Sequence, residues 1–469
     1  MNNKLPLVQA LLNYHDENNI IFSMPGNKAG EGFNRDEIGK TFAENLGFLD
    51  ITEVESLDNL HHPEGVIKES QELLAKLYNV KRAYFLVNGS SGGNLASIFS
   101  AFNEGDEVLV ERNCHRSVYN GLILRKLRVT FVEPRVQGQG GLFLPPDRDA
   151  IYSALERSNN PKGIILTYPN YFGITYDIEA IIRDLKNKGL KIIIDEAHGA
   201  HFGITDKLPK NVAAIADYTV VSAHKTLPAL TGGSYLLVND ESKETDFYVS
   251  AFMTTSPSYL IMASLDYARY YLGTYGKDDY EELIKIAEEW KEKINALTKV
   301  RILSKEELPK FYDIDLSRYV ITLPNGYSGH NFLDYLRKNH IQGEMSFHSG
   351  VVLILSPFKA EESLQKLYEV IERLEMEEIK DNSKVISFNP SIPKKALEPF
   401  EVLAYQGKTS CLDNAVGKIA REAIVPYPPG IPLICPGEIF NEEIIKVVKT
   451  YLNAGCTVLG VDKENINIV

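Results

Sequence analysis

Between residues 83 and 238 the chain repeats one pattern: a short run of consecutive apolar residues, a polar or glycine-rich turn, then a segment with helical spacing. The apolar runs are 83–87, 107–110, 129–132, 163–166, 191–194, 218–221 and 234–238. They are apolar at successive rather than alternate positions, as strands buried on both faces of a mainly parallel sheet must be. Helical segments between several of them, such as 177–188, supply the crossovers that parallel strands need. The pattern predicts an α/β unit built on a mainly parallel, seven-stranded sheet. Sheets of this kind bind ligands beyond the carboxyl ends of their strands. The polar clusters at those ends are therefore the first candidates for chemistry.

After about residue 260 the pattern changes. Residues 277–297 read as a long amphipathic helix carrying the only tryptophan, Trp290. Strands are expected at 319–323 and 351–355 and a helix at 360–378, which together suggest a smaller α+β domain. From about 383 a third region contains Pro426-Tyr427-Pro428-Pro429-Gly430-Ile431-Pro432, whose prolines predict a stiff loop, followed by a helix at 440–453. The expected organisation is an N-terminal arm (1–45), a large domain (46–260), a small α+β domain (261–382) and a C-terminal domain (383–469). A length of 469 residues, too long for one ordinary core, agrees with this division.

Lys225, in Ser222-Ala223-His224-Lys225-Thr226, directly follows an apolar strand. A surface lysine at a strand end is the plain alternative, but its neighbours argue otherwise. Ser222 and His224 can donate hydrogen bonds to a phosphate. Thr231-Gly232-Gly233 adds a hydroxyl and two positions where backbone can approach closely. A partly desolvated lysine is a neutral amine able to attack an aldehyde. Asp195 closes the strand at 191–194. It can organise a turn, or it can pair with a protonated pyridine nitrogen. Asn88-Gly89-Ser90-Ser91-Gly92-Gly93-Asn94 joins a strand to a helix, where backbone N–H groups bind phosphate well. Its spacing fits neither the P-loop nor the dinucleotide fingerprint. His115 follows the strand at 107–110 and could stack on a cofactor ring. His198 and His201 lie three apart near Asp195. Two histidines fall short of the three or four converging ligands of a metal site, so no metal is expected. These groups together describe a pyridoxal 5'-phosphate (PLP) site.

Composition narrows the surroundings of this chemistry. A formal net charge of −13 disfavours nucleic acid and anionic membranes as partners. Cys114, Cys411, Cys435 and Cys456 form no Cys-x-x-Cys pair, and no apolar stretch approaches 18 residues. With no signal peptide at the start, the expectation is a cytoplasmic protein with reduced thiols and no membrane span.

Taken in order, these segments resemble the Orn/Lys/Arg decarboxylases, PLP enzymes of the aspartate-aminotransferase fold (fold type I). The resemblance runs through Pro25-Gly26-Asn27-Lys28-Ala29-Gly30, Leu57-Asp58-Asn59-Leu60-His61-His62-Pro63-Glu64-Gly65 and Phe85-Leu86-Val87-Asn88-Gly89-Ser90-Ser91. It continues through Arg112-Asn113-Cys114-His115-Arg116-Ser117, Asp195-Glu196-Ala197-His198-Gly199-Ala200-His201 and Ser222-Ala223-His224-Lys225. Thr254-Thr255-Ser256-Pro257-Ser258-Tyr259 and Pro426-Tyr427-Pro428-Pro429-Gly430 complete it.

The resemblance implies that Lys225 holds PLP as a Schiff base, Asp195 pairs with the ring nitrogen and His115 stacks on the ring. Ser90, Ser91, Ser222 and His224 would hold the phosphate, with Ala197 and His198 also at the cofactor. Thr254 would reach the phosphate of a neighbouring subunit, implying a homodimer with shared sites. Glu438 would meet the distal cation of a basic amino acid. The implied activity is decarboxylation of arginine or lysine, or of ornithine, to agmatine, cadaverine or putrescine and CO₂, a step of polyamine biosynthesis. Asn27 departs from the family's usual histidine. The chain also begins at the core, without the wing domain of the long inducible enzymes, so a dimer or tetramer is expected rather than a decamer. An aminotransferase or lyase of the same fold, or a non-catalytic PLP-binding protein, stays open at this point. A transaminase would need a cation for the α-carboxylate. Arg301, Arg318, Arg337, Arg373 and Arg421 are available, none in a distinctive motif.

Overall fold

The computed structural model of the chain describes residues 4–137, 142–381, 392–427, 432–453 and 457–469. It opens with helix α1 (Pro6–Asp16), none of whose side chains is buried. Helix α2 (Val66–Leu77) leads into the central sheet. The sheet strands are β1 (Arg82–Leu86), β2 (Glu107–Glu111), β3 (Arg128–Val132), β4 (Pro161–Thr167), β5 (Lys191–Asp195), β6 (Tyr218–Val221) and β7 (Ser234–Val238). Their order across the sheet is β1-β7-β6-β5-β4-β2-β3. All are parallel except β7, which runs against both its neighbours. The seven apolar runs of the sequence are these seven strands, to within two residues at either end.

The consecutive apolar residues are explained by burial on both faces. Every residue of β2, β6 and β7 is buried. Ile192 and Ile194 face one hydrophobic cluster while Ile193 faces another on the opposite side of the sheet. Helix α3 (Gly89–Ala101) packs directly on the sheet. A Cβ on its Gly93 would lie 2.6 Å from the Leu86 side chain and 2.9 Å from Val220, so only glycine permits this approach. Helix α4 (Arg116–Leu124) follows β2, α5 (Glu179–Asn187) precedes β5, and the single-turn helix α6 (Ala223–Thr226) follows β6. The carboxyl ends of β1, β2, β4, β5 and β6 thus share one edge with the amino end of β7.

The chain then forms one long rod. A helix over Tyr259–Tyr271 passes through a π-helical turn at Leu272–Gly276 into α7 (Lys277–Ala296). An antiparallel sheet follows, with β8 (Arg301–Ile302), β9 (Arg318–Thr322), β10 (Met345–Phe347) and β11 (Gly350–Ile354) in the order β8-β9-β11-β10. Helix α8 (Ala360–Arg373) is shorter than the pattern predicts. Leu374 turns out of helical conformation (ψ 121°), and Met376–Ile379 form a separate 3-10 turn. The last helix, α9 (Glu442–Asn453), lies against a small C-terminal cluster. Of the proline-rich loop, Val425–Tyr427 form a strand; Pro428–Ile431 lie outside the described residues, as does Cys456.

Ile20–Phe22 pair as a parallel strand with Ile341–Gly343. Ile174–Tyr176 pair with Tyr312–Ile314, tying the segment before α5 to the segment before β9.

Candidate active site

Lys225 sits on α6, at the carboxyl edge of the sheet. Its position is fixed by backbone bonds on both sides. Lys225 N–H donates to Ser222 O at 3.0 Å, and His224 N–H donates to Gly233 O at 3.1 Å. The segment Pro25–Gly30 braces this loop: Gly26 N–H donates to His224 O at 2.7 Å, and Asn27 Nδ2 donates to Ala229 O at 3.0 Å. A Cβ on Gly26 would lie 2.6 Å from Leu227 O. Asn27 therefore acts through the lysine loop and does not reach into the cleft.

Asp195, at the end of β5, is buried. Its Oδ2 accepts from Asn94 Nδ2 at 3.0 Å and its Oδ1 from Ala197 N–H at 3.2 Å. Asn94 also donates to Ser117 Oγ at 2.9 Å, and Ser117 Oγ lies 2.7 Å from His115 Nδ1. The loop after β2 and the loop after β5 are thus tied through α3. His115 caps α4 and keeps its ring exposed. Partial desolvation lowers its pKa, and Lys225 and Arg116 push the same way against the pull of Asp195.

The amino end of α3 has no side-chain cap. Its first backbone N–H groups have no partner within the helix, which makes this end an anion site. Ser90 Oγ contacts Ser222 Oγ and donates to Ser234 Oγ at 3.1 Å, so hydroxyls from three segments converge there. Ser91 is exposed on the first turn. Gly89 takes φ +75°, and a Cβ on Gly92 would find no atom nearer than 3.6 Å, so the approach to this helix end is open. His224 Nδ1 faces Gly233 O at 2.8 Å, where it must donate because a carbonyl only accepts.

Lys225 Nζ lies 3.1 Å from His198 Nε2. Burial lowers the Lys225 pKa; Arg318 reinforces this, while Asp195 and Glu344 oppose it. A buried lysine amine, a buried carboxylate and an open helix terminus therefore share one edge of the sheet. This set fits a phosphorylated pyridine aldehyde.

A family model described as the Orn/Lys/Arg decarboxylase major domain matches residues 5–341, and its C-terminal domain matches 358–459. The chain belongs to the Orn/Lys/Arg decarboxylase family. Among relatives of this decarboxylase, an arginine decarboxylase of Halalkalibacterium halodurans is 30% identical, over 98% of this chain and 96% of the relative. The uncharacterized protein YaaO of Bacillus subtilis is 33% identical, over 97% of this chain and 96% of its own. The structure of E. coli constitutive lysine decarboxylase shares the fold, with a TM-score of 0.78 at 18% identity, covering 99% of this chain and 82% of that one.

Glu438 is buried and held bidentately by Arg112, with Nη1 to Oε1 at 2.6 Å and Nη2 to Oε2 at 2.7 Å; Cys435 N–H donates to Oε2 at 2.7 Å. Its charge is already matched, so within the chain it offers nothing to a substrate cation. Gly437 sets up this turn at φ +89°, its α-carbon facing Leu397 O so closely that a Cβ would lie 2.1 Å away. Thr254 is exposed on one wall of a loop held by His61, whose Nδ1 meets Ser250 Oγ and whose Nε2 meets Thr254 O, both at 2.8 Å. Asp58 is an N-terminal anchor for α2, accepting from Gly65, Ile67 and Lys68 N–H groups. Those bonds, and the ones from Asn59 and Glu64, bring its pKa down to about 2 against the cost of burial. His201 faces Asp315 (3.2 Å) and Ser317 (3.1 Å) and stacks on Tyr280.

The fold also brings in residues to which the sequence assigned no role. Arg318 begins β9 and is fully buried. Its Nη1 donates to Tyr171 O at 2.8 Å and its Nη2 lies 2.9 Å from His198 Nδ1. Glu344 accepts from Met24 N–H at 2.9 Å and from the Tyr171 hydroxyl. Lys28 is buried, with Nζ donating to Ser23 O at 2.6 Å, and burial lowers its pKa to about 7. Glu111, at the end of β2, is fully buried. Thr167 N–H donates to its Oε2 at 2.8 Å, its Oε1 has no hydrogen-bond partner among the described residues, and burial with nearby Asp195 pushes its pKa up to about 8. For Arg318, Glu344 and Glu111 the only sequence signal is a charged residue beside a strand end, shared by many surface positions; Lys28 stands in the Pro25–Gly30 segment.

Proposed function

We propose that this decarboxylase binds PLP in the cleft between Lys225, Asp195 and the amino end of α3, and removes the α-carboxylate of a basic amino acid, arginine before lysine or ornithine. The convergence of Lys225, Asp195 and the uncapped α3 terminus on one sheet edge carries this reading. Lys225 would hold the cofactor through Nζ, Asp195 would keep a proton at the ring nitrogen, and His115 would cover the ring. Ser90, Ser91, Ser222 and the α3 backbone would hold the phosphate, with His224, Ala197 and His198 around it. When bound, the cofactor supplies the electron sink that loss of CO₂ requires.

The chain's own share is orientation and electrostatics. Arg318, the arginine of the small domain that does face the site, already has both terminal nitrogens engaged. Decarboxylation is placed before transamination on the relatives named arginine decarboxylase. Glu344, which acts with Asp195 on Lys225, would be a further carboxylate for the cation of a basic substrate. Arginine is placed first on the relatives named arginine decarboxylase.

A homodimer is part of the same reading. Leu7, Leu11 and Leu12 of α1 are 72%, 62% and 54% exposed, an apolar surface that a second copy would cover. Thr254 stands exposed where it could reach a partner's phosphate. No helix among the described residues is long and apolar enough to cross a membrane, and a cytoplasmic enzyme is proposed.

An amino-acid panel with detection of CO₂ and of agmatine, cadaverine and putrescine tests the activity. Agmatine from arginine is expected; a keto acid as the sole product overturns the reading. Lys225→Ala should lose turnover by several orders of magnitude while keeping the parent's circular dichroism. Near-parent turnover in that variant removes Lys225 from the mechanism.

A further inference from the structure

Arg318 is fully buried, and both its terminal nitrogens are engaged within the chain. What it touches is the ring that touches the lysine. A guanidinium carries five N–H donors and no acceptor. With Arg318 Nη2 at 2.9 Å, His198 Nδ1 must accept. A histidine whose Nδ1 accepts is neutral and carries its proton on Nε2. That Nε2 is 3.1 Å from Lys225 Nζ. An ammonium has three donors and no lone pair, so it cannot accept this bond. Only the free amine completes the row.

We propose that Arg318 is a positioning residue that locks His198 as the Nε2–H tautomer and thereby holds Lys225 as an acceptor, a free amine ready for an aldehyde. The lock is itself rigid. Arg318 Nη1 is tied to Tyr171 O, and its Nε is 3.7 Å from Asp315. Asp315 is fixed in turn by Ser317 Oγ at 2.7 Å and His201 at 3.2 Å. Gly173, at φ +78°, lies against the guanidinium stem, where a Cβ would meet Arg318 Cδ at 2.6 Å. The Tyr171 ring packs edge-on to His198 with centroids 5.0 Å apart.

The surrounding charges act in a consistent direction on the histidine. Burial, Lys225, Arg318, His115 and His224 all lower the His198 pKa. On Lys225, burial and Arg318 lower the pKa, while Asp195 and Glu344 raise it. The two carboxylates favour the ammonium; burial first, and then Arg318, act against them. The inference gives the proposed cofactor-bearing lysine its reactivity. It rests on that assignment for its purpose only, because the tautomer follows from the hydrogen-bond geometry.

Two measurements on the full-length chain test it. Histidine ¹⁵N chemical shifts, with His198 assigned by His198→Gln, report the tautomer. Acetylation of Lys225 across pH, in protein freed of aldehyde cofactor and read by peptide mass spectrometry, reports its titration. The parent should show a neutral Nε2–H His198. Arg318→Met should lose that fixed signature and raise the Lys225 midpoint by about one pH unit or more, a tenfold loss of free amine below it. Arg318→Lys, which keeps a charged donor, should recover part of both. An Nδ1–H or doubly protonated His198 in the parent overturns the proposal, and this measurement stands even if Arg318→Met does not fold. A raised KM in Arg318→Met with an unchanged Lys225 titration also overturns it, in favour of a carboxylate clamp. Failure to decarboxylate any amino acid would defeat the proposed function and leave the His198 signature as it is.

Discussion

Glu438→Gln separates a structural role from a substrate-binding one. In the chain, Glu438 and Arg112 are each 1% exposed and joined by two short charge-assisted bonds. Arg112 also donates to Leu433 O at 3.2 Å, and its guanidinium lies 5.1 Å from the Phe131 ring. Arg112 follows β2, whereas Glu438 belongs to the C-terminal region, so the pair fastens one to the other. Neutralising one partner leaves the other as an uncompensated buried charge, at a cost of about 3–5 kcal/mol. In a chain this long, that cost should show as local opening of the C-terminal region rather than as a single shifted melting transition. Hydrogen-exchange mass spectrometry is the suitable assay. Peptides covering Lys408–Cys411 and Glu442–Asn453 should exchange faster by about a hundredfold to a few thousandfold. Arg112→Met combined with Glu438→Met should recover most of the protection, since apolar replacement of a whole buried pair is often neutral or better. Unchanged exchange in Glu438→Gln, together with a KM for basic amino acids raised tenfold or more, would refute the reasoning and return Glu438 to the substrate.

Three further outcomes are expected. Glu111 has its pKa raised from 4.5 to about 8, so the folded chain keeps a proton that the unfolded chain releases; its contribution is lost as pH rises from 4.5 to 8 and is constant above. Glu111→Gln should therefore match the parent near pH 4.5, gain about 1.4 kcal/mol per pH unit above that and stand about 3 kcal/mol ahead at pH 7; urea midpoints of both proteins across pH would show parallel curves if the carboxyl is not buried as a neutral acid. Glu344→Gln should raise KM for basic amino acids more than it lowers kcat, and an equal loss on an uncharged substrate would deny it a role in cation recognition. A Thr254→Val chain and a Lys225→Ala chain, each impaired alone, should regain activity when co-refolded if sites are shared between subunits; no recovery in mixed dimers would place Thr254 outside the site.

The sheet was legible because double-sided burial writes itself into a strand as an unbroken apolar run. The 191–194 run could be placed at a sheet centre from its composition, and Asp195 stood out as the polar residue that ends it. Lys225, His115, Ser90 and Ser222 were legible for a related reason: each sits in a short segment at a strand end, where the backbone delivers the side chain to the same edge. The surroundings of Glu438 were not legible, because its sequence neighbours, Pro436 and Gly437, define a tight turn without saying what the turn faces. Its partner Arg112 is 326 positions away.

The sequence by itself determined the strands, their carboxyl-end clusters and the family, since these depend on local composition and on motifs in order. Only the tertiary structure decided the environment of each charge. Arg318 is one of several arginines in the C-terminal part until β9 carries it to His198, and Lys225 is an ordinary lysine until that histidine faces it. Protonation and tautomer depend on burial and on partners distant along the chain, and these exist only once β9 packs against the loops of the central sheet.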